Sequence, residues 1–564
     1  MKLLLPFIIL SINTHTAYAA TLEDWRGRTI YQVLTDRFAR SDGSSTAACG
    51  VVEGLYCHGS WKGIIDKLDY IRGMNFDAIW ISPVVTQLPQ RTGDGEAYTG
   101  YNLYSLNANF GSAEDLRALS DALHNRGMYL MLDIVVNHMG YAGEPDSVDY
   151  SIFDPFNDER YFHPYCAING NTNQTEVEVC WLGDTIVPLP DLRTEDEDVQ
   201  DMLQRWISSM VSNYSIDGLR IDTTINVQPE FFPDFVNASG VFAMGETMQG
   251  DNSLVCRWAE MIGSILNYPI YYPLIRAFSS AQGSINDLVT TIYTMRENCA
   301  DPTTFGLFSE NHDVERFTQY TNDTAQAKNL ITFTIMGDGI PIIYQGQEQH
   351  MAGGISPYIN RTPLWSTGYD TEASLYKHIA TLVAARQHIV KTSDGYAKFA
   401  TEVVYQDYHS FAMRKGKTGQ QVVTILNNNG EGTPEFKLDI RGHDLPSGMQ
   451  VTELLTCTNT SVEASGALSV HMGSGLPKVY YPTHLLVDSG LCGMDKSTSQ
   501  PDASSSDGNH PEVVMTASTA TASGPAEPSH TRLALGATSS RKSKDAMTYS
   551  VFCVFLPILV FSLG

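Results

Sequence analysis

The chain has 564 residues and a hydrophobic content of 43 %, which is enough for one large barrel and a smaller second module. Its formal net charge of −27 argues against nucleic acid as a partner and against adhesion to anionic membrane surfaces. A neutral partner is therefore expected.

The first predicted element is a secretory signal peptide over residues 1–19. One lysine precedes a short apolar run, and Ala17, Tyr18 and Ala19 form a cleavage site of the A-x-A type. The apolar run is too short for a membrane anchor. Cleavage is therefore expected after Ala19, and the mature protein is expected to lie outside the cytoplasm.

Apolar strands alternate with helical patterns in the next part of the chain. A typical helix reads "SAEDLRALSDALHNRG", with Ser112 as N-cap, Asp115 three residues later and Gly127 as the stop. Near-continuous apolar strands between helices indicate a parallel sheet that is covered on both faces. The number of repeats predicts a (β/α)8 barrel over residues 20–138 and 196–397.

Two segments depart from this alternation. Residues 139–195 form a loop-rich insert after the strand "MYLMLDIVVNH". Residues 398–492 change to short alternating stretches such as "QVVTILNNNG", which predict a C-terminal antiparallel β-sandwich.

The end of the chain is predicted to be a stalk and an anchor signal. Residues 493–536 are rich in Ser, Thr, Pro and Ala and are typical of a disordered stalk. Residues 537–564 resemble a removable GPI-attachment propeptide, with a polar spacer and an apolar tail, and the attachment candidates are Gly536 and Ala537. A tail-anchored helix is the alternative. The protein is then expected at the outer face of the cell membrane, held by a lipid only, or transferred to the cell wall.

Disulfide bonds are expected in this oxidising compartment. Of nine cysteines, Cys553 lies in the tail, so an even number remains. Sequence alone leaves the connectivity open, and neighbour pairing gives Cys49–Cys57, Cys166–Cys180, Cys256–Cys299 and Cys457–Cys492. The N-x-S/T sequons, each a glycan candidate only if exposed, are at Asn173, Asn213, Asn237, Asn322, Asn360 and Asn459.

Polar residues follow the ends of several predicted strands. These residues are Asp133, Asn137, His138, Arg220, Asp222, Glu246, His312 and Asp313. In a (β/α)8 barrel the carboxyl ends of the strands converge on the active site. Converging carboxylates cost repulsion and desolvation, so packing does not explain them, whereas retaining glycoside hydrolysis needs a carboxylate nucleophile and a protonated acid.

The motifs "DIVVNHMG", "GLRIDT", "GET" and "ENHD" resemble the four signature regions of the alpha-amylase family of glycoside hydrolases. The resemblance is closest to secreted fungal alpha-amylases and runs from Thr21 to Cys492, and the cysteine spacing supports neighbour pairing. It implies a retaining enzyme that acts on α-1,4-glucan or maltooligosaccharides, and a monomer.

The resemblance also implies residue roles. Asp222 would be the nucleophile, Glu246 the general acid/base, and Asp313 a ligand of sugar hydroxyls that helps to distort the ring. Arg220 would hold Asp222 ionised through charge pairing. The implied substrate-binding residues are Tyr101, His138, Arg220, His312 and Arg361.

A structural Ca²⁺ between barrel and insert is a further implication of the resemblance. The side chains at the ligand positions are Asn137, Glu178 and Asp191, and the backbone carbonyl of Asn226 stands where the family has another ligand. These are hard oxygen donors that suit calcium.

The sequence departs from fungal alpha-amylases around this acid set. Ile225 and Asn226 stand where Lys-His is usual, Thr99 replaces a histidine, and Ser356 stands near an expected aspartate. A stretch similar to "WQQD" is missing after Tyr101. An intact acid set with altered surroundings favours a 4-α-glucanotransferase, in which a sugar hydroxyl takes the place of water. The alternatives are an endo-acting alpha-amylase and a non-catalytic glucan-binding wall protein.

Overall fold

A computed structural model describes residues 20–88, 99–170, 173–183 and 185–494. Its central sheet is parallel throughout, in the order β6-β7-β1-β2-β3-β4-β5. The strands are β1 (Ile30–Val33), β2 (Ala78–Ile81), β3 (Tyr129–Ile134), β4 (Gly218–Ile221), β5 (Phe242–Gly245), β6 (Gly306–Leu307) and β7 (Ile340–Tyr344).

A short extended segment closes this sheet into a barrel. Ile265 forms a parallel bridge with Gly245 of β5, and Leu266 forms a parallel bridge with Gly306 of β6. Residues 265–266 thus occupy the place of the missing strand between the two edges. The predicted (β/α)8 barrel is confirmed.

Helices surround the barrel and bury their apolar faces against its strands. In α5, Ser112 and Asp115 form the predicted capping box, and Leu116 and Leu119 are buried. The helices are α1 (Leu22–Arg26), α2 (Thr35–Phe38), α3 (Trp61–Asp66), α4 (Leu68–Gly73), α5 (Ala113–His124), α6 (Gln174–Val179), α7 (Glu197–Tyr214), α8 (Phe232–Ser239), α9 (Asn252–Ile262), α10 (Tyr268–Phe278), α11 (Ile285–Asn298), α12 (Thr324–Met336) and α13 (Ser374–Thr392).

The insert after β3 has little regular structure. It contains 3₁₀ turns, helix α6 and a small hairpin of Leu182–Gly183 with Pro188–Leu189. An antiparallel bridge between His138 and Asp191 fastens its end to the barrel. The insert therefore lies beside the carboxyl end of β3.

The C-terminal module is antiparallel and has its own apolar core. A six-stranded sheet has the order β8-β9-β10-β15-β12-β13, and β11 pairs with β14. These strands are β8 (Glu402–Gln406), β9 (Ser410–Lys415), β10 (Val422–Asn427), β11 (Phe436–Ile440), β12 (Gln450–Glu453), β13 (Thr458–Ser461), β14 (Leu468–Met472) and β15 (Lys478–Pro482). The predicted β-sandwich is confirmed.

A buried ionic joint connects the C-terminal module to the barrel. The Lys415 Nζ at the end of β9 lies 3.0 Å from Asp338 Oδ1 and donates to the Gly337 carbonyl at 3.1 Å. Arg296 of α11 lies 3.0 Å from the other Asp338 oxygen, and the Thr401 N–H donates to Asp338 at 2.9 Å. Burial opposes ionisation of Asp338, but the two cations outweigh it and lower its pKa to about 2.

The structure forms all four disulfide bonds of the neighbour pairing: Cys49–Cys57, Cys166–Cys180, Cys256–Cys299 and Cys457–Cys492. Within residues 20–88, 99–170, 173–183 and 185–494, no helix is both long and apolar enough to cross a membrane. The signal peptide, the stalk and the tail, including Gly536 and Ala537, lie outside the described residues.

One glycan candidate does not meet the condition of exposure. Asn360 is fully buried, and its side chain donates to the backbone carbonyls of His312 at 2.7 Å and Val314 at 3.0 Å. A glycan cannot be attached to an amide in this position. The exposed sequon asparagines are Asn173, Asn213, Asn237, Asn322 and Asn459.

Candidate active site

Arg220 lies at the centre of the carboxyl end of the barrel, between acids from four strand ends. Its Nη1 donates to Asp222 at 2.7 Å and to Asp133 at 2.9 Å. Its Nη2 lies 2.8 Å from Glu246 Oε1 and 3.8 Å from Asp313 Oδ2. A fully buried guanidinium thus holds four carboxylates in one cluster, as convergence of the strand ends predicts.

Asp313 is the most accessible of these acids and is bound by two further donors. Its Oδ2 lies 3.0 Å from His312 Nε2, and its Oδ1 accepts from Arg361 Nη2 at 3.0 Å. Arg361 also donates to the His312 carbonyl at 3.1 Å. Gln32, which lies in β1 among apolar residues, is 2.7 Å from His312 Nδ1.

Glu246 is fixed through both of its oxygens. Tyr268 Oη donates to Oε1 at 3.1 Å, and the backbone N–H of Thr223 donates to Oε2 at 3.2 Å. Thr223 has a positive φ of 45°, which is uncommon for a β-branched residue, and this conformation aims its N–H at the carboxylate. Asn311 Nδ2 in turn donates to Tyr268 Oη at 3.0 Å.

The cluster carries more carboxylates than cations, and this shifts its proton equilibria. Burial raises the pKa of Asp222 well above its ordinary value, the neighbouring carboxylates add to the rise, and Arg220 offsets it only in part. The expected charge pair between Arg220 and Asp222 is therefore present, but it does not by itself outweigh burial and the neighbouring carboxylates. Burial also disfavours ionised Asp313, but His312, Arg361 and Arg220 outweigh burial and lower its pKa.

Several supporting residues were not predicted from the sequence. They are Gln32, Trp80, Tyr268 and Asn311. Trp80 Nε1 donates to the second oxygen of Asp133 at 2.9 Å, so both oxygens of Asp133 are bound. Only Gln32 left a signal in the sequence, as a polar residue inside the buried strand "IYQV".

The other predicted sugar contacts lie around the same end of the barrel. His138 is buried just past β3 next to Asn137, whose amide lies 3.2 Å from the His138 Nδ1. Tyr101 is half-buried in the strand Gly100–Leu106 and packs against the core.

The residues that depart from fungal alpha-amylases adopt defined positions. Ile225 is half-buried against the core, and its carbonyl accepts from Gln174 Nε2 at 2.9 Å. The Asn226 side chain donates to the Val177 carbonyl of α6 at 3.0 Å. Thr99 is 4 % exposed, and Ser356 is exposed.

The residues predicted to bind calcium lie where the insert meets the barrel. Asp191 is fully buried, and its Oδ2 lies 2.7 Å from His163 Nδ1. Among the described residues no hydrogen bond to its Oδ1 is present, and burial raises the Asp191 pKa to about 7. The Asn137 side chain also approaches Asp191 as a hydrogen-bond donor that favours the ionised carboxylate. A buried amide and a buried carboxylate therefore meet at this corner.

Glu178 lies in the insert, in α6, and Asn226 lies in the turn after β4. Glu178 Oε1 accepts from Gln174 Nε2 at 2.9 Å, and the Asn226 side chain is bound to α6. No group of three or more His, Cys, Asp or Glu side chains in the described ranges is arranged as a metal cluster. Amide and carbonyl oxygens lie outside that set, and together with Asp191 they fit an oxygen-ligated cation.

A (β/α)8 barrel with acids from several strand ends around one buried arginine has the carboxylates that a retaining glycoside hydrolase requires. The chain matches the model of the alpha-amylase catalytic domain over residues 32–239 and 232–394, and that of alpha-amylase domain C over 403–500. The protein belongs to the alpha-amylase family and acts on α-1,4-glucosidic bonds. A non-catalytic wall protein is therefore excluded as its class.

Relatives and solved structures agree with this assignment. Alpha-amylase 1 of Schwanniomyces occidentalis is 46 % identical over 84 % of this chain and 93 % of its own. Alpha-amylase 1 of Lipomyces kononenkoae is 48 % identical over 87 % of this chain and 78 % of its own. The structure of an alpha-amylase from Malbranchea cinnamomea has a TM-score of 0.82 and 47 % identity, and the match covers 84 % of this chain and all of that one.

Proposed function

We propose that this enzyme is a retaining 4-α-glucanotransferase, which cleaves an α-1,4-glucan or maltooligosaccharide and passes the glycosyl unit to the 4-hydroxyl of another glucan. The observation that carries the proposal is the position of Ile225 and Asn226 beside an intact acid cluster. Hydrolysis of the same intermediate is the competing outcome, and it is supported by the relatives named alpha-amylase.

In this proposal Asp222 attacks the anomeric carbon. As the C–O bond to the leaving sugar breaks, Glu246 gives its proton to the departing oxygen, and Asp222 becomes covalently attached. This step requires Asp222 in its ionised form as the nucleophile and a proton on Glu246 before the bond breaks. Glu246 next takes a proton from the incoming hydroxyl, which displaces Asp222.

The surrounding cations and donors stabilise this sequence. Arg220 contacts every acid of the cluster and compensates the charge that moves between Asp222 and Glu246. Asp313, held by His312 and Arg361, is proposed to accept hydrogen bonds from sugar hydroxyls. Tyr101 and His138 are proposed to contact the same sugar ring.

The choice between sugar and water follows from the altered residues. Ile225 offers an apolar side chain where a lysine would order water, and Asn226 directs its amide to the Val177 carbonyl and away from a sugar. Fewer polar groups at the acceptor side slow attack by water more than attack by a bound sugar. A change of about 1.4 kcal/mol in relative barrier alters the product ratio about tenfold.

The test uses one pure maltooligosaccharide of about seven glucose units and follows product lengths and new reducing ends. We expect chains both longer and shorter than the substrate early in the reaction, with few new reducing ends. A triple substitution of Thr99→His, Ile225→Lys and Asn226→His is expected to raise the ratio of hydrolysis to transfer about tenfold, equivalent to about 1.4 kcal/mol.

The control is Glu230→Gln, which changes an exposed side chain further along the same loop and is expected to leave the product ratio unchanged. Only shorter products from the unmodified enzyme at high substrate concentration, with reducing ends rising in step, would identify an anchored endo-acting alpha-amylase instead.

We also propose that a structural Ca²⁺ is held by Asn137, Glu178, Asp191 and the Asn226 carbonyl. The support is the buried Asp191 Oδ1, which has no hydrogen-bond partner among the described residues. The ion would compensate this charge and join the insert to the barrel; it would take no part in bond cleavage.

Chelation is therefore expected to lower the melting temperature, and added Ca²⁺ is expected to restore it. An ion that binds only the native state adds about 2.7 kcal/mol at a free concentration of about 100 times Kd. Calorimetry in chelator and in calcium measures the shift. Asp191→Asn should abolish the response to calcium, whereas Asp251→Asn, at the exposed N-cap of α9, should keep it. Identical melting curves after exhaustive metal removal would eliminate the site.

Attachment through a GPI lipid and passage to the cell wall complete the proposal. Its support is the sequence pattern of residues 493–564, of which 495–564 lie outside the described part of the chain. An enzyme held at a surface that contains α-glucan would have donor and acceptor chains at hand.

A further inference from the structure

A chain of buried hydrogen bonds connects the backbone after His312 to Glu246. The Asp313 N–H donates to Asn311 Oδ1 at 2.8 Å, and Asn311 Nδ2 donates to Tyr268 Oη at 3.0 Å. Tyr268 Oη lies 3.1 Å from Glu246 Oε1. Tyr268 is fully buried and Asn311 is 1 % exposed, so water does not compete for these bonds.

The direction of each bond in the chain is fixed. A backbone N–H can only donate, so the Asn311 oxygen must face Asp313 and the Asn311 amide nitrogen must face Tyr268. The Tyr268 oxygen accepts that bond, and its single hydrogen is then directed to Glu246. Burial raises the pKa of Tyr268 well above its ordinary value, so the phenol keeps this hydrogen.

The two oxygens of Glu246 are therefore not equivalent. Oε1 faces the Tyr268 hydroxyl hydrogen and lies 2.8 Å from Arg220 Nη2, which has no acceptor capacity. A proton on Oε1 would meet donors on both sides. Oε2 accepts from the Thr223 N–H at 3.2 Å and can carry a proton in another direction.

We propose that Tyr268, oriented by Asn311, is a positioning residue that reserves Oε2 of Glu246 for the catalytic proton and stabilises the ionised form of that carboxylate. The proposal rests on the acid/base role proposed for Glu246. It concerns cleavage of the donor, a step that transfer and hydrolysis share, so it holds for either outcome.

The test compares Tyr268→Phe with the unmodified enzyme on two donors over a range of pH. An aryl maltotrioside has a leaving group that needs protonation, whereas maltotriosyl fluoride needs little. Without the phenol, ionised Glu246 loses a donor and the carboxyl keeps its proton to higher pH. We expect the basic limb of the kcat profile for the aryl donor to move to higher pH by about one unit. The reason is that loss of one hydrogen bond to a charged carboxylate shifts its pKa by about this amount.

The pH profile of kcat for maltotriosyl fluoride should move less, because departure of fluoride depends less on the proton of Glu246. Tyr271→Phe is the matched control: it removes a hydroxyl from the same helix, but Tyr271 stacks on Phe308 at 5.2 Å and bonds to Tyr320. This variant should leave the limb in place. Asn311→Ser removes the donor that orients Tyr268 and should shift the basic limb in the same direction. This variant tests the proposal if Tyr268→Phe does not fold.

An equal loss of rate on both donors at every pH, with the limb unmoved, would overturn the proposal and leave Tyr268 a packing residue. Failure of the transferase proposal would be distinguishable from this outcome. The product lengths would then be those of hydrolysis, but Tyr268→Phe would still shift the basic limb of the kcat profile. An unmodified enzyme with no basic limb on the aryl donor would remove Glu246 as the acid and this inference with it.

Discussion

Asp222→Asn is expected to reduce turnover of maltooligosaccharides by roughly 10³-fold or more, because an amide cannot form the covalent intermediate. The fold should survive the change. Asp222 is buried in a crowded cluster that raises its pKa, so a neutral amide of the same shape removes repulsion from Asp133, Glu246 and Asp313. Initial rates and melting curves measure the two effects separately.

Glu246→Gln is expected to cause a comparable loss on natural substrates but to spare donors with good leaving groups. Maltotriosyl fluoride should still load Asp222, and the glycosyl-enzyme should accumulate because no base activates the acceptor. Mass spectrometry of the intact protein would detect the adduct.

The matched control for both variants is Asp234→Asn, an exposed acid in α8 whose loss should leave turnover unchanged. Retention of more than about a tenth of wild-type activity by Asp222→Asn or Glu246→Gln, a barrier change below about 1.4 kcal/mol, would show that the roles are wrongly assigned.

Arg220→Met is expected to abolish activity and to lower the free energy of unfolding by about 3–5 kcal/mol, because it leaves buried carboxylates without their cation. Arg220→Lys keeps the charge, but a single ammonium cannot reproduce the fork that contacts Asp222 and Glu246 through separate nitrogens. Lys is therefore expected to recover part of the stability and little of the activity.

The loss of unfolding free energy in Arg220→Met should be larger at high pH than at low pH. Removal of the cation raises the carboxyl pKa values in the folded protein above their unfolded values. The destabilisation is then largest at high pH, where the unfolded carboxyls are ionised, and it shrinks as the pH falls and the cluster becomes protonated.

Denaturant titrations over a range of pH test this expectation. Arg257→Met, which breaks an exposed pair of 2.6 Å with Glu230, should cost only about 0–1 kcal/mol. If Arg220→Met were as stable as the unmodified enzyme at neutral pH, the carboxyl groups of the cluster would have to be neutral without the arginine.

The barrel and its acids could be predicted because their signals are local in the sequence. Apolar strands alternate with helices, and Asp222, Glu246 and Asp313 each follow a strand, so barrel geometry alone brings them to one end. The closing segment 265–266 could not be predicted from the sequence pattern, because two residues have no periodicity.

Other features depend on contacts between distant segments. Tyr268 binds Glu246 and His163 binds Asp191, and nothing in the flanking residues marks either pair. The burial of Asn360 could not be predicted, because the sequon N-x-T contains no information about burial. The raised pKa of Asp222 also could not be predicted from the sequence, because it depends on how many carboxylates share one guanidinium.

The buried joint of Lys415 with Asp338 has a consequence for movement of the sandwich relative to the barrel. Lys415 is 3 % exposed, and its ammonium also holds the Gly337 carbonyl at the end of α12. A hinge motion between sandwich and barrel would separate Lys415 from Asp338, which would keep only Arg296 as a partner. The sandwich is therefore held in one position against the barrel.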